Sequence, residues 1–236
     1  MILMSDHGAV PELLPNLRDL GSMPVADGAV APGRLLRSAL PFADDRVPEQ
    51  IVWPPRAVID LRSSGELGGP HPLAASGAVV HHLPLLAALR PDGPVVTDLT
   101  TLYGVVLENA PHLLVDVVTT VASADGAALV HCAAGKDRTG VAVALVLRLL
   151  GAHRDDIVSD YLATVPHLEA IDARLTSLPN GHLRSHLPKA FFEVPEEAIV
   201  RVLDTWDTHD GGVHGWFAAA GGTSDDVESL RSRLVG

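Results

Sequence analysis

An α/β domain with a small, mostly parallel central sheet flanked by helices is what this chain predicts, and three observations carry that prediction. Apolar runs of strand length, at 57–61, 78–83 and 127–130, alternate with longer stretches at helical spacing, at 99–108, 112–123 and 195–207. The run Ala127 to Val130 passes through a short segment containing two glycines into an apolar helical stretch, Val141 to Leu150. Hydrophobic residues make up 47% of the 236 positions and charged residues 19%, which supports a sizeable core and excludes general disorder. Ligands of open parallel sheets lie beyond the carboxyl ends of the strands, so the residues after Val130 are where function is expected.

The elements follow in chain order. Residues 1–15 read as a flexible lead-in, because Pro11 and Pro15 oppose regular structure, and 16–236 read as a single domain with a helical C-terminal part. Asn16-Leu17-Arg18-Asp19-Leu20-Gly21 is a turn, and Arg34 to Ser38 is a strand after the Pro32-Gly33 turn. Pro48 to Trp53 is a short helix or turn. Ala57 to Leu61 is a buried strand, closed by a structural Asp60–Arg62 network and followed by Ser63-Ser64-Gly65-Glu66. Ala78 to Leu83 is a strand ended by Pro84, and Arg90 to Pro94 is a turn by composition.

Helices at 99–108 and 112–123 precede the Asp125-Gly126 turn into the next strand. Beyond Leu150, Gly151 suits a helix terminus, Asp155 to Thr164 is a helix, and Pro166 opens another that runs to Ser177. Helices after residue 139 are expected to cover one face of the sheet. Trp206, Trp216 and Phe217 read as packing anchors of the final helices. His182 and His186, spaced i,i+4 in a proline-bounded loop, lack a third ligand cluster, so no metal is expected there. His71, His81, His82 and His153 read as surface or satisfied core residues.

Composition narrows the function. The net charge is −12 and the only lysines are Lys136 and Lys189, which argues against nucleic acid as a partner. A single cysteine excludes an internal disulfide framework and fits a reducing compartment. The first residues show no basic-then-apolar leader pattern and no apolar run reaches membrane-spanning length, so a cytoplasmic protein with no integral membrane segment is expected.

The chemistry gathers in Leu129-Val130-His131-Cys132-Ala133-Ala134-Gly135-Lys136-Asp137-Arg138-Thr139-Gly140, which holds that one cysteine. About eight residues, with Gly135 and Gly140 as hinges, join strand to helix there. A tight loop opening at a helix N-terminus aims successive N–H groups at one spot where negative charge is favoured. Ala133, Ala134, Gly135, Lys136, Asp137 and Arg138 are therefore the expected phosphate-binding positions. Cys132 sits at the base, where such a field favours the nucleophilic thiolate. Arg138 offers a planar fork for two phosphate oxygens, Thr139 a hydroxyl to help the thiolate leave, and His131 a hydrogen bond that holds the loop. The layout is that of attack on phosphorus, a phosphocysteine intermediate and hydrolysis by water, with no cofactor required.

The Cys-x5-Arg-Thr spacing resembles the signature of protein tyrosine phosphatases, and the string His-Cys-x-Ala-Gly-Lys-Asp-Arg-Thr-Gly resembles the mycobacterial tyrosine and lipid phosphatase B branch. The strings Asn-x-Arg-Asp at 16–19 and Ile-Asp-Leu-Arg-Ser at 59–63 are similar to that family too, so the likeness spans about 16–234. The resemblance implies phosphotyrosine substrates, with phosphoserine, phosphothreonine or phosphoinositides beside them, and a structural role behind the active site for Asn16 to Asp19. It also implies that Lys136 either contacts an extra phosphate or only supports the dianion. One departure stands out: the family carries an aspartate soon after the Leu-Pro that ends the strand at 83–84, where this chain has Leu85-Leu86-Ala87. Asp137 is then the leading general acid, with Asp92 second. An inactive phosphate-binding module is the alternative, and an arsenate reductase or sulfurtransferase fits less well, lacking resolving cysteines or a use for Arg138-Thr139.

Overall fold

A computed structural model describes residues 13–86, 96–178 and 188–236. Its centre is a five-stranded sheet of β1 (Arg18–Asp19), β4 (Leu35–Ser38), β7 (Ala128–His131), β5 (Ala57–Asp60) and β6 (Val79–His82), in that spatial order. β1 pairs antiparallel at one edge and the other four strands are parallel. A separate two-residue hairpin joins β2 (Pro24–Val25) and β3 (Gly28–Ala29). Ser38, His131, Asp60 and His82 are level in register, so the carboxyl ends of the parallel strands form one line.

β4, β5 and β7 are buried along their whole length, as Val/Ile/Leu-rich parallel strands are when both faces are covered. Side chains alternate between those faces. Leu35, Ala57, Ile59, Ala128 and Val130 enter the main core, while Leu36, Val58 and Leu129 point the other way onto Leu73, Ile51 and Trp53.

All the long helices of the main core lie on one face. They include α1 (Leu99–Asn109), α2 (Pro111–Ser123), α3 (Asp137–Leu149), α6 (Glu196–Asp207), α7 (Gly212–Ala219) and α8 (Ser224–Leu234). The helices after residue 139 thus share their face with α1 and α2, and irregular chain covers the opposite side. Trp206 is fully buried, its ring 5.7 Å from that of Trp216. Pro111 starts α2 after Ala110, and the axis turns by 81° there. Among the described residues no single helix is long and apolar enough to cross a membrane.

Three boundaries differ from the sequence reading. α3 begins at Asp137, four residues ahead of Val141, so Arg138, Thr139 and Gly140 lie in its first turn and the loop proper is 132–136. Pro166 lies in a short 3-10 turn, Val165–His167, that precedes α5 (Leu168–Ser177). Ordered pairing begins before residue 16: Leu14 is buried and its N–H donates to the Arg46 carbonyl. α4 (Arg154–Leu162) follows α3 and carries Asp160 and Tyr161 under the loop.

Candidate active site

The 132–136 loop caps the line of strand ends, and Gly135 decides how closely. It sits in the left-handed region at φ 64°, and a Cβ there would lie 2.1 Å from the Ser38 carbonyl oxygen. Gly140 likewise lets α3 approach Tyr161, whose ring carbon lies 2.9 Å from where its Cβ would be. Both glycines are sites of close approach rather than hinges.

Behind the loop a buried clasp turns its carbonyls away from the pocket. Asn16 Nδ2 donates to the Gly135 carbonyl at 2.8 Å, and Arg37 Nη2 donates to the same oxygen at 2.9 Å. Arg37 and Arg18 converge on Asp160, with Arg18 Nε 2.6 Å from its carboxylate. Burial would raise the Asp160 pKa, but the two guanidinium groups outweigh it and hold the group below the usual carboxylate range. With the Gly135 carbonyl bound at the back, the first N–H groups of α3, which have no intrahelical partners, are left for the front.

The front is a pocket of about 1040 Å³. Cys132, Ala133, Ala134, Lys136, Asp137 and Arg138 form its polar end. Cys132 is only 1% exposed, so the thiol lies on the floor and not at the surface. Apolar walls come from Ile171 and Leu175 on α5, from Phe191 and Phe192, and from Phe42. Arg174 fastens α5 across the pocket mouth, donating to the Leu40 carbonyl at 2.8 Å and ion-pairing with Asp45. Gly135, His131 and Thr139 are not among the lining residues; the last two are fully buried just behind them. The Thr139 hydroxyl oxygen has no hydrogen-bond partner among the described residues.

Arg138 is held by a residue that inspection of the loop alone does not reveal. Its Nη1 donates to Glu66 Oε2 at 2.5 Å and its Nη2 to Oε1 at 2.9 Å, while Nη1 also reaches the Leu61 carbonyl at 3.3 Å. Glu66 is itself fixed by the Ser63 N–H at 2.8 Å, a capping box around the 3-10 turn Ser64–Glu66. A guanidinium has five donors in three edges. Among the described residues Nε–H and one Nη2–H remain unpaired, and these two share the edge that can grip two oxygens. Burial alone would lower the Arg138 pKa; the Glu66 bond and the nearby Cys132 and Asp137 reverse this and raise it, so it is a permanent cation.

Asp137 is also held on one side. Its Oδ1 accepts from Lys136 Nζ at 2.7 Å and from the Tyr103 hydroxyl at 2.8 Å. Tyr161 lies 2.8 Å from Tyr103 and donates to it, since the one Tyr103 hydrogen is already used. Burial, with Asp137 second, pushes the Tyr103 phenol well above its ordinary range, which keeps it a donor. Lys136 Nζ also donates to the Glu193 carbonyl at 2.7 Å and is 3% exposed, so it is tied down. Arg62 grips Asp60 with distances down to 2.6 Å, the network expected from the sequence. Asp92, His182 and His186 lie outside the described residues.

Asp60, His71 and His131 bring one ligand-type atom each within 4.8 Å of one another. Hydrogen bonds already occupy every ring nitrogen of the two histidines and both Asp60 oxygens, so the cluster is a bonded network with no lone pair turned to an ion.

An open α/β sheet whose central strand turns through a cysteine-bearing loop into a helix, with an arginine at the helix start, has the architecture of cysteine-dependent phosphatases. The chain matches the model of the tyrosine phosphatase family over residues 11–236 and belongs to that family. It is 34% identical over 131 residues to a Mycobacterium tuberculosis protein named triple specificity protein phosphatase PtpB, covering 50% of this chain and 48% of that protein. It is 48% identical over 121 residues to a tyrosine-protein phosphatase of Nostoc commune, covering 48% of this chain and 40% of that one. The chain thus spans about half the length of these curated relatives or less.

Proposed function

We propose that this chain hydrolyses phosphomonoesters, phosphotyrosine first among them, through a phosphocysteine intermediate. The observation that carries the reading is the open edge of Arg138, aligned by Glu66 within the pocket floored by Cys132. The Cys132 thiolate attacks phosphorus, forming S–P as the P–O bond to the leaving group breaks. Arg138 Nε–H and Nη2–H, with the loop and helix N–H groups from Ala133 to Arg138, hold the equatorial oxygens as charge redistributes. Asp137 supplies the proton to the leaving oxygen from Oδ2, because Oδ1 already accepts two bonds. Water then attacks phosphorus, Asp137 takes up its proton, and the thiolate departs with inorganic phosphate as the other product. The Thr139 hydroxyl is available to stabilise the departing sulfur.

Serine, threonine and inositide phosphomonoesters belong to the same proposal at the level of chemistry. Of the two roles expected of Lys136, support of the dianion is the one its bonds favour, because two of its three N–H donors go to Asp137 and the Glu193 carbonyl. The deciding experiment is steady-state hydrolysis of an aryl phosphate with acid-quench trapping. A phosphoenzyme on Cys132, absent in Cys132→Ser together with turnover, is expected; a phosphoenzyme on any other residue, or no hydrolysis at all, sinks the reading.

A further inference from the structure

We propose that His71, on the loop between β5 and β6, is a positioning residue for the nucleophile: through His131 it fixes the carbonyl of Cys132. This rests on the assignment of Cys132 as nucleophile, and it follows from a chain of hydrogen bonds in which every donor is determined. His131 Nδ1 lies 3.0 Å from the Cys132 carbonyl oxygen. A carbonyl only accepts, so Nδ1 carries a proton. At the other end, the Leu73 N–H donates to His71 Nδ1 at 3.1 Å, so that nitrogen has no proton and His71 carries its own on Nε2. The two Nε2 atoms are 2.9 Å apart. His71 is therefore the donor and His131 Nε2 the acceptor, and both rings are neutral.

Of the two tautomers open to a neutral histidine, His71 admits only the one that bonds Cys132. The surroundings sustain that state. His131 is fully buried and His71 8% exposed, and burial lowers the pKa of both. The charged groups facing the pair are Asp60, whose oxygen lies 3.8 Å from His131 Nε2, and Arg62, which neutralises Asp60. His82 on the edge strand bonds the Arg62 carbonyl at 2.7 Å. A protonated His131 would set N–H against N–H across the pair and release it. The strand-end loop at 71–73 thus sets the orientation of the residue at the floor of the pocket, through a His71–His131 bond that spans 60 residues of sequence.

The test reads the tautomer and the thiol directly, without turnover, so it stands apart from any failure to find a phosphatase substrate. Ring ¹⁵N shifts of wild-type His131 near neutral pH are expected to show a proton on Nδ1 and none on Nε2. His71→Leu removes the donor; His131 should lose its single tautomer, and alkylation of Cys132 by iodoacetamide at about pH 6 should slow roughly threefold or more. His71→Gln, which keeps an N–H donor at similar reach, should restore both. A wild-type His131 protonated on Nε2 overturns the proposal. So does a His71→Leu protein, folded by its circular dichroism and melting temperature, in which tautomer and alkylation rate are unchanged. Should His71→Leu not fold, the wild-type spectrum and His71→Gln decide the matter.

Discussion

At the scale of single residues the pocket is governed by which edge of each charged group is left over. Arg138 spends one edge on Glu66 and part of another on Leu61, and among the described residues what remains unpaired is the bidentate edge. Arg138→Lys keeps the charge and loses the fork, so kcat/KM on an aryl phosphate should fall roughly 10²-fold or more. Glu66→Gln should keep the fork and loosen its aim, with a fall of roughly tenfold in kcat/KM and little change in melting temperature. The acid is tested by leaving group. Asp137→Asn should slow an alkyl phosphate far more than an activated aryl phosphate and remove the basic limb of the kcat–pH profile. Equal slowing on both, with that limb retained, would leave Asp137 a scaffold group. Lys136→Ala should lower kcat/KM on a phosphotyrosine peptide and on a polyphosphorylated inositide by the same factor, because its ammonium faces Asp137 and Glu193.

At the scale of elements, the active loop works because three pieces of backbone meet within van der Waals distance. β7 delivers Cys132, α3 begins at Asp137, and the end of β4 presses on Gly135. Gly135→Ala places a methyl group 2.1 Å from the Ser38 carbonyl and a side chain at positive φ. The atom it meets is backbone and cannot swing aside, so a loss of about 3 kcal/mol or more in urea unfolding is expected, together with loss of phosphate binding. α1 and α4 reach the same loop through the Tyr161–Tyr103–Asp137 chain. Tyr103→Phe should therefore change kcat more than KM, because it frees one bond to the acid while Tyr103 itself does not line the pocket.

At the scale of the molecule, the buried histidines make stability depend on pH in a definite window. His131 is lowered from 6.5 to about 4, chiefly by burial. Below pH 6.5 the unfolded chain takes up a proton that the folded one refuses, so stability is complete above that value and falls as pH drops towards 4. One group shifted this far removes about 3 kcal/mol across the window. His71, lowered in the same direction, adds to the loss. Asp60, Asp160 and Glu66 are held below the usual carboxylate range and act only at lower pH. Urea unfolding at pH 7 and at pH 5 reads the histidines alone, and equal midpoints would contradict the burial of His131.

Much of this was legible in the chain because it is local. Period-2 and period-3.6 apolar patterns located the four parallel strands and the main helices to within a few residues, but missed the short β1 in the stretch read as a turn and the β2–β3 hairpin. The cysteine loop could be read because its chemistry is contiguous from His131 to Thr139. Helix starts were less visible: Asp137 to Gly140 are polar or small, and only packing under Tyr161 makes them the first turn of α3. The partners that aim the site were not legible. Glu66 meets Arg138 across 72 residues, Tyr103 meets Asp137 across 34 and His71 meets His131 across 60. No spacing in a sequence encodes such pairs. They follow from parallel strands whose carboxyl ends align, so that each strand-end loop arrives at the same point from a distant part of the chain. The sequence by itself determined which chemical groups gather around the Cys132 loop; the tertiary structure decided which edge of Arg138, which oxygen of Asp137 and which tautomer of His131 its neighbours hold, because orientation depends on neighbours that only folding supplies.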